Sequence, residues 1–474
     1  MNFSLAMGHV IALTAAALVG GLLPLHAQRT PDWATAEAEL LRHFQALVQI
    51  DTTDPPGGEL PAVEYLKKVF EAEGIAVRIY SSDPKRPNLL VRLKGSGAKK
   101  PLLIMAHTDT VNVDPAKWKH PPFGAVRQGG HIYGRGTVDD KDNVAAGLMV
   151  MLLLKRLNVP LDRDVIFLAE AGEEGSVQYG IQYMVENHWK EIEAEFCLAE
   201  GGGTQRRGGQ YWTTNIGTAE KIPFGLRLVA KGTAGHGSVP LMDNPVVALS
   251  SAVARVAAWR TPMRLNDTTR TYFEKLAAMS PPEARARYNG IFDSTQSEAV
   301  QDWLQRNEPR HYSMLRTSIS PNMVRGGIRI NSIPSSAEAT LDVRLAPTEN
   351  REQFLADLAK IVNDPTIAIE QTRRHMRPPS PPSSLKTAMF AIIEAQAMKH
   401  YAPKAVLPAM GTGATDMAFL RERGMDAYGI GPAIDFEDGA LGYGAHSDQE
   451  RILESELYKF LRFHWDVVVA AAAR

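Results

Sequence analysis

The sequence predicts an α/β protein: a catalytic domain with a mixed, largely parallel sheet flanked by helices, into which a small two-layer α/β sandwich is inserted. Three observations carry this. Short apolar strands alternate with helical segments from about residue 33 to 200. A second texture, in which strands alternate apolar and polar residues, runs from about 216 to 378. Several apolar strands end abruptly in acids, an imidazole or glycines, the place where open α/β sheets bind ligands.

Taken in order, "MNFSLAMGHVIALTAAALVGGLLPLHAQRT" carries an apolar stretch from Val10 to Leu25, short for a bilayer-spanning helix of about 20 residues. It reads as a secretory signal, residues 1–27, with cleavage near Ala27, although no Lys or Arg precedes Arg29. Export to a periplasm or the exterior is the expectation, with an uncleaved anchor as the alternative and no stable membrane span after cleavage. Residues 33–50 and 60–73 have helical periodicity, broken between them by "DTTDPPGGE". "IAVRIY", "NLLVRL" and "PLLIMA" are strands, "NVAAGLMVMLLLKRL" is an apolar helix, and "DVIFLAE" and "AEFCLAEGGG" are strands that close the first segment of the catalytic domain, 30–215. The inserted domain, 216–378, contains strand "IPFGLRLVAKG", helix "NPVVALSSAVARVAAW", strand "SAEATLDVRL", a helix near 350–363 and "TIAIEQTRR". Within it, 265–320 is polar, partly helical and reads as an insertion. "RPPSPPSS" is a linker, and the second segment of the catalytic domain, 379–474, adds a helix near 385–399, glycine-rich loops and a closing helix from about 453.

The chain has 474 residues, 44% of them hydrophobic and 22% charged, and a net charge of -1. That balance gives no general attraction to nucleic acid or an anionic membrane. With Cys197 as the one cysteine, an internal disulfide and a thiolate metal cluster are both excluded. A metal site must draw on His, Asp and Glu, the ligand set of catalytic rather than structural zinc.

Five clusters offer such ligands. In "LIMAHTDTV", His107 and Asp109 lie two apart and project from the same face of the strand end. The others are Asp139 and Asp140 in "GRGTVDDK", Glu173 and Glu174 in "AEAGEEGS", Glu200 in "LAEGG", and His446 in "GYGAHSDQE". A solvated turn would explain any one of them. Buried strands that end repeatedly in ionisable groups need a shared cation to compensate them. For two ions about 4 Å apart, Asp139 can bridge, His107 and Glu200 can hold one ion, and Glu174 and His446 the other. Glu173 is then a free carboxylate beside the ions, as general-base hydrolysis requires.

In this order and with these flanks, the motifs resemble the di-zinc exopeptidase family of aminoacylases, carnosinase-type dipeptidases, carboxypeptidase S and succinyl-diaminopimelate desuccinylase. The resemblance covers nearly all of the chain after residue 30. It implies two divalent metal ions, zinc foremost with cobalt or manganese as alternatives, held by His107, Asp139, Glu174, Glu200 and His446, with Asp139 bridging. It also implies Glu173 as the base and Asp109 as the carboxylate that orients His107; Asp140 is set aside because relatives vary the second acid. The inserted domain becomes a lid and a homodimer surface. On it, "KGTAGHGSVP" carries His236, which the resemblance assigns to a neighbouring active site, and "RINSIPSSAEATLDVRL" carries Asn331 and Arg344, which hold substrate. "GTGATDMAFL" resembles the glycine loop that binds substrate, through Gly413 and Thr415. The activity implied is metal-dependent hydrolysis of short peptides or N-acyl amino acids with a free carboxylate, with the enlarged lid most similar to the carboxypeptidase S and N-acyl-amino-acid hydrolase branch. A non-catalytic binding protein on the same fold is the alternative, but no ligand or base is missing. A serine hydrolase is disfavoured because "GHGSVP" lacks the closing glycine of a nucleophile elbow.

Overall fold

The computed structural model describes Met1, residues 30–372 and residues 377–474. Apart from Met1, the predicted signal segment lies outside the described residues. Among those described, no helix is long and apolar enough to cross a membrane.

The core of the catalytic domain is a ten-stranded mixed sheet. Its centre is parallel, in the order Val165–Glu170, Leu102–His107, Phe196–Ala199 and Asp426–Gly429. Asn88–Leu93 and Val77–Tyr80 extend one side in antiparallel fashion. On the other side, the strand Gln210–Glu220 pairs with Gly203–Arg207 and, in parallel, with Ala405–Gly411. The first two central strands are buried at every position because helices cover both faces. On one face the helix Lys141–Arg156 is buried from its first residue to Leu154, packed between the sheet and the helices Trp33–Val48 and Glu454–Ala472. Ile181–Asn187 and Met417–Glu422 cover the other face.

The lid sheet begins at Ile222 and combines Leu226–Lys231, Ser318–Gly326, Ser336–Leu345 and Ile367–Gln371. Its apolar face packs on the helices Pro245–Ala258 and Arg351–Val362. The strand Gln210–Glu220 stays in the large sheet as far as the Gly411–Glu220 pair, so the boundary falls near 221 rather than 216. Periodicity could not place it, because the chain is extended on both sides of the crossing.

Two further features differ from the reading of the sequence. The hairpin 203–220 had no counterpart there; Gly208 and Gly209 turn it at φ 54° and 77°. The insertion packs on the large sheet as well as on the lid, where Arg260 pairs with Asp302. Its helices Asp267–Met279, Pro282–Gly290, Ser297–Asn307 and Pro309–Met314 start against the large sheet. The hydroxyls of Thr218 and Thr268 are 2.9 Å apart, and Lys275 Nζ donates to the Val406 carbonyl at 3.1 Å. Tyr272 and Met314 pack there on Ala219 and Met410.

Candidate active site

The cluster is assembled where the parallel strands end. His107 is the last residue of Leu102–His107 and is buried. Its Nε2 lies 3.1 Å from Asp139 Oδ1. The other oxygen of Asp139 faces His446 Nε2 at 3.0 Å, and that nitrogen is also 3.1 Å from Glu174 Oε1. Two triads result, His107–Asp139–Glu200 and Asp139–Glu174–His446, and within each the potential ligand atoms lie within 4.8 Å of one another. The five predicted ligands therefore come together, and Asp139 is shared.

The supporting contacts explain why the loops hold this shape. Asp140 Oδ2 accepts from the His107 backbone N–H at 3.2 Å and Oδ1 from Asn143 Nδ2 at 2.6 Å, so Asp140 faces away from the cluster. His446 adopts φ 62°, a conformation uncommon for a residue with a side chain. Its loop is docked by Glu450, which accepts from Arg135 Nη1 at 2.6 Å and from the Val138 N–H at 2.9 Å. Thus "HSDQE" is tied to the "GRGTVDD" loop that carries Asp139.

Asp109 stands against both His107 and the turn that carries Glu173 and Glu174. The nearest acceptor to His107 Nδ1 is the Asp109 backbone carbonyl, at 3.1 Å, while the carboxylate stands at 3.4 Å. The carboxylate oxygens also accept from the N–H groups of Glu173 and Glu174, at 3.1 and 3.0 Å. Asp109 is first a bracket for the turn that separates the two glutamates.

Electrostatics mark the cluster as a cation site. Burial pushes the Glu173 and Glu200 carboxyls well above their ordinary range; Arg377 opposes this at Glu173, while the Glu173 and Asp139 charges add to it at Glu200. Burial also raises Glu174. Hydrogen bonds to Asp139 and Glu174 push His446 up to about 10. At His107, burial favours the neutral ring, but Asp109 and Asp139 outweigh it and raise the imidazole well above its usual value. At Asp139, burial is outweighed by the two imidazoles, and its carboxyl is held low. A donor set that draws in protons this way fits divalent cations with oxygen and imidazole ligands.

Glu173 has a partner that sequence reasoning missed. Arg377, assigned to a linker, donates through Nη2 to Glu173 Oε1, to the Glu173 backbone carbonyl at 2.7 Å and to Asp416 Oδ1 at 3.0 Å. The rest of the linker is also clamped: Ser383 Oγ donates to the Ala427 carbonyl at 2.7 Å and accepts its N–H at 2.9 Å. Serine and proline composition resembles a linker whether or not the hydroxyls find backbone partners.

Beside the cluster lies a cavity of about 710 Å³. Asp139 and Glu200 form part of its wall, as do Gly413 and Thr415. Thr415 Oγ1 donates to Glu220 Oε2 at 2.6 Å, which fixes the glycine loop to the end of the large sheet. Met410, Ile430 and Phe436 supply apolar wall, and the insertion contributes Arg310. Another group with metal-ligand geometry, His131–Asp435–Asp438, has its acids facing guanidinium groups, Asp435 with Arg206 at 3.5 Å and Asp438 with Arg451 at 2.6 Å.

The predicted lid residues do not line this cavity. Arg344 donates through Nε to Asp342 at 2.8 Å on the open face of the lid sheet. His236 is exposed, its Nδ1 2.7 Å from Ser238 Oγ. A two-residue ladder pairs His236 with Ser332, and the Gly237 N–H donates to the Asn331 carbonyl at 2.9 Å, so His236 and Asn331 share one exposed corner of the lid.

Known proteins resemble the chain in sequence and in fold. The human N-fatty-acyl-amino acid synthase/hydrolase PM20D1 is 27% identical over 374 residues, 75% of this chain and 72% of that protein. A probable succinyl-diaminopimelate desuccinylase from Staphylococcus aureus is 24% identical, covering 69% of this chain and 74% of its own. Among solved structures, the M20 family metallo-carboxypeptidase Sso-CP2 of Sulfolobus solfataricus aligns with a TM-score of 0.67 at 21% identity, over 91% of this chain and 98% of that one. A Bacillus subtilis protein described as a dinuclear metal binding peptidase aligns with a TM-score of 0.56 at 14% identity, over 92% and 99%. Residues 103–469 match peptidase family M20/M25/M40 across both halves of the catalytic domain, and the chain belongs to that family as a metal-dependent peptidase or amidohydrolase.

Proposed function

We propose that the protein hydrolyses the amide bond of short peptides or N-acyl amino acids that carry a free carboxylate, as a carboxypeptidase, dipeptidase or aminoacylase. The observation that carries this reading is the pair of triads sharing Asp139, with Glu173 beside them and a cavity opening from the cluster. His107 and Glu200 would hold one cation, Glu174 and His446 the other, with Asp139 between; zinc suits this donor set. Bound there, two divalent ions supply Lewis acidity and bring a water's proton within reach of a carboxylate base at neutral pH. Glu173 takes that proton and returns it to the leaving amine. The largely apolar wall suits an acyl group or side chain, in keeping with a relative named for N-fatty-acyl amino acids. The free carboxylate has two candidate partners. Arg310 lines the cavity and makes no hydrogen bond or ion pair among the described residues, whereas Arg344 would have to leave Asp342.

We further propose a homodimer through the lid, in which His236 of one copy stabilises the oxyanion in the other copy's site. Its exposed corner position supports the idea. Export through residues 1–27 belongs to the same reading; a mature amino terminus near Gln28 would support it, and an intact chain in the membrane fraction would support an anchor instead.

The decisive experiment reconstitutes the full chain with zinc and offers it a panel of dipeptides and N-acyl amino acids, with products read by mass spectrometry. Glu173→Gln should abolish turnover and keep both metals, whereas Glu174→Gln should lose metal from one site. A Glu173→Gln enzyme with near-normal kcat, or a protein that takes up no metal, would refute the reading.

A further inference from the structure

We propose that Arg377 is a positioning residue for Glu173 and that it couples the base to the lid. The proposal rests on the reading of Glu173 as base. Arg377 lies where the chain returns from the last lid strand, Ile367–Gln371, to the catalytic domain. Its side chain is 12% exposed, and it makes every contact expected of a clamp rather than of a surface cation. Nη2 donates to Glu173 Oε1 and, at 2.7 Å, to the backbone carbonyl of the same residue. Holding the head and the main chain of one glutamate together closes a ring and removes rotamer freedom, and it leaves Oε2 without a hydrogen bond among the described residues. The same guanidinium reaches Asp416 Oδ1, from Nη2 at 3.0 Å and from Nε at 3.2 Å. Asp416 follows Gly413 and Thr415 in the glycine loop, so one side chain joins the base to that part of the cavity wall.

The other end of Arg377 is held by the lid. Its backbone carbonyl accepts from Arg351 Nη2 at 2.8 Å, and Arg351 opens the lid helix Arg351–Val362. The backbone of Arg377 is therefore fixed by the lid and its side chain by the active site. A rigid displacement of the lid moves the anchor of the clamp, and the orientation of Glu173 with it. Lysine can reproduce this contact only in part, because a single ammonium has no second nitrogen to hold Asp416 as Nε does.

The test uses the zinc-reconstituted full chain and the panel substrate that the wild type turns over fastest. Arg377→Ala should keep two metals per chain and lower kcat on the order of 10- to 100-fold, with KM changed less than about threefold, because orientation of the base matters in the transition state more than in the bound substrate. Arg377→Lys should recover part of the loss, and guanidinium ion at low millimolar concentration should raise kcat of Arg377→Ala but not of Glu173→Gln. Arg351→Ala should lower kcat in the same direction, by less, and non-additively with Arg377→Ala. Should Arg377→Ala be insoluble, Arg377→Lys carries the same test through its kcat loss at constant KM. Near wild-type kcat in Arg377→Ala beside an inactive Glu173→Gln would overturn the proposal and leave the base standing. Loss of metal or fold in Arg377→Ala, with no recovery by lysine or guanidinium, would also overturn it, in favour of a purely structural arginine. An active Glu173→Gln would overturn the base assignment itself.

Discussion

At the scale of single residues, Asp109 shows how much one carboxylate can organise. Its two oxygens accept the N–H groups of Glu173 and Glu174, and so hold the turn from which the two side chains diverge. Asn offers one acceptor in place of two, so Asp109→Asn leaves one of those amides without a partner. The expected result is a kcat lowered about 10- to 100-fold, the usual scale for groups that orient ligands, with weaker metal at the Glu174 site; wild-type turnover and full metal content in the variant would sink this. The grouping of the five candidate ligands was legible in the sequence, because their motifs stand in order at the ends of apolar strands and in the loops beside them. Arg377 was not, since nothing in "RPPSPPSS" announces a guanidinium aimed at a carboxylate 204 positions earlier, that of Glu173. The raised pKa values give a further expectation. Glu174, Glu200, His107 and His446 all hold protons more tightly than usual in the cation-free protein, His446 up to about 10. Ligands must shed those protons to bind metal, so metal affinity should rise with pH and binding should release protons. Calorimetry of zinc uptake in two buffers of different ionisation heat would detect the release, and equal heats would contradict it.

At the scale of elements, the helix Lys141–Arg156 connects the core to the chemistry. Asp139 and Asp140 precede it directly, so its packing fixes the position of the residue common to both triads. At Gly147 the helix lies tight against the sheet: a Cβ there would stand 2.6 Å from Phe167 Cε2. On an open helix, Gly→Ala gains about 1 kcal/mol. Here Phe167 is fully buried and cannot step aside, and overpacking typically costs about 1–3 kcal/mol. Gly147→Ala should therefore lower stability to denaturant, with reduced metal affinity as a second readout; an unchanged or higher midpoint would show that the ring can move. This helix was legible from its long apolar run, as were the central strands, which are apolar throughout. The hairpin 203–220 was not, because its exposed half is polar and only the paired glycines mark the turn. The insertion was legible as polar and partly helical, but its contact with the large sheet was not. Sequence position places it inside the lid, whereas Thr218, Ala219, Val406 and Met410 draw it to the large sheet.

At the scale of the whole molecule, the lid carries an edge and a patch that its own chain does not cover. The strand Ser318–Gly326 pairs only with Ser336–Leu345 among the described residues, so its other edge is free. Around it Met242, Ile328 and Ile330 are almost wholly exposed, and Val247 and Val324 largely so. Apolar side chains gathered this way mark an interaction surface, and a two-fold contact between copies is the commonest way to cover one. His236 and Asn331 stand on the same lid, away from the wall of their own chain's cavity. If His236 serves a second copy, the roles of Glu173 and His236 must separate genetically. A homodimer of Glu173→Gln has usable histidines and no base; a homodimer of His236→Ala has bases and no histidine. Each should be nearly inactive. A mixed dimer holds one site with Glu173 from the His236→Ala chain and His236 from the Glu173→Gln chain, both intact. Random pairing makes half of the dimers mixed, each with one complete site of two, so co-expression should restore up to about a quarter of wild-type activity. Verified mixed dimers without recovery, or a monomer at assay concentration, would place His236 outside the reaction. Recovery would in turn make the lid surface part of every active site, and substitutions such as Ile330→Lys, which touch no substrate, should then lower activity by dissociating the dimer, with a loss that increasing protein concentration reverses.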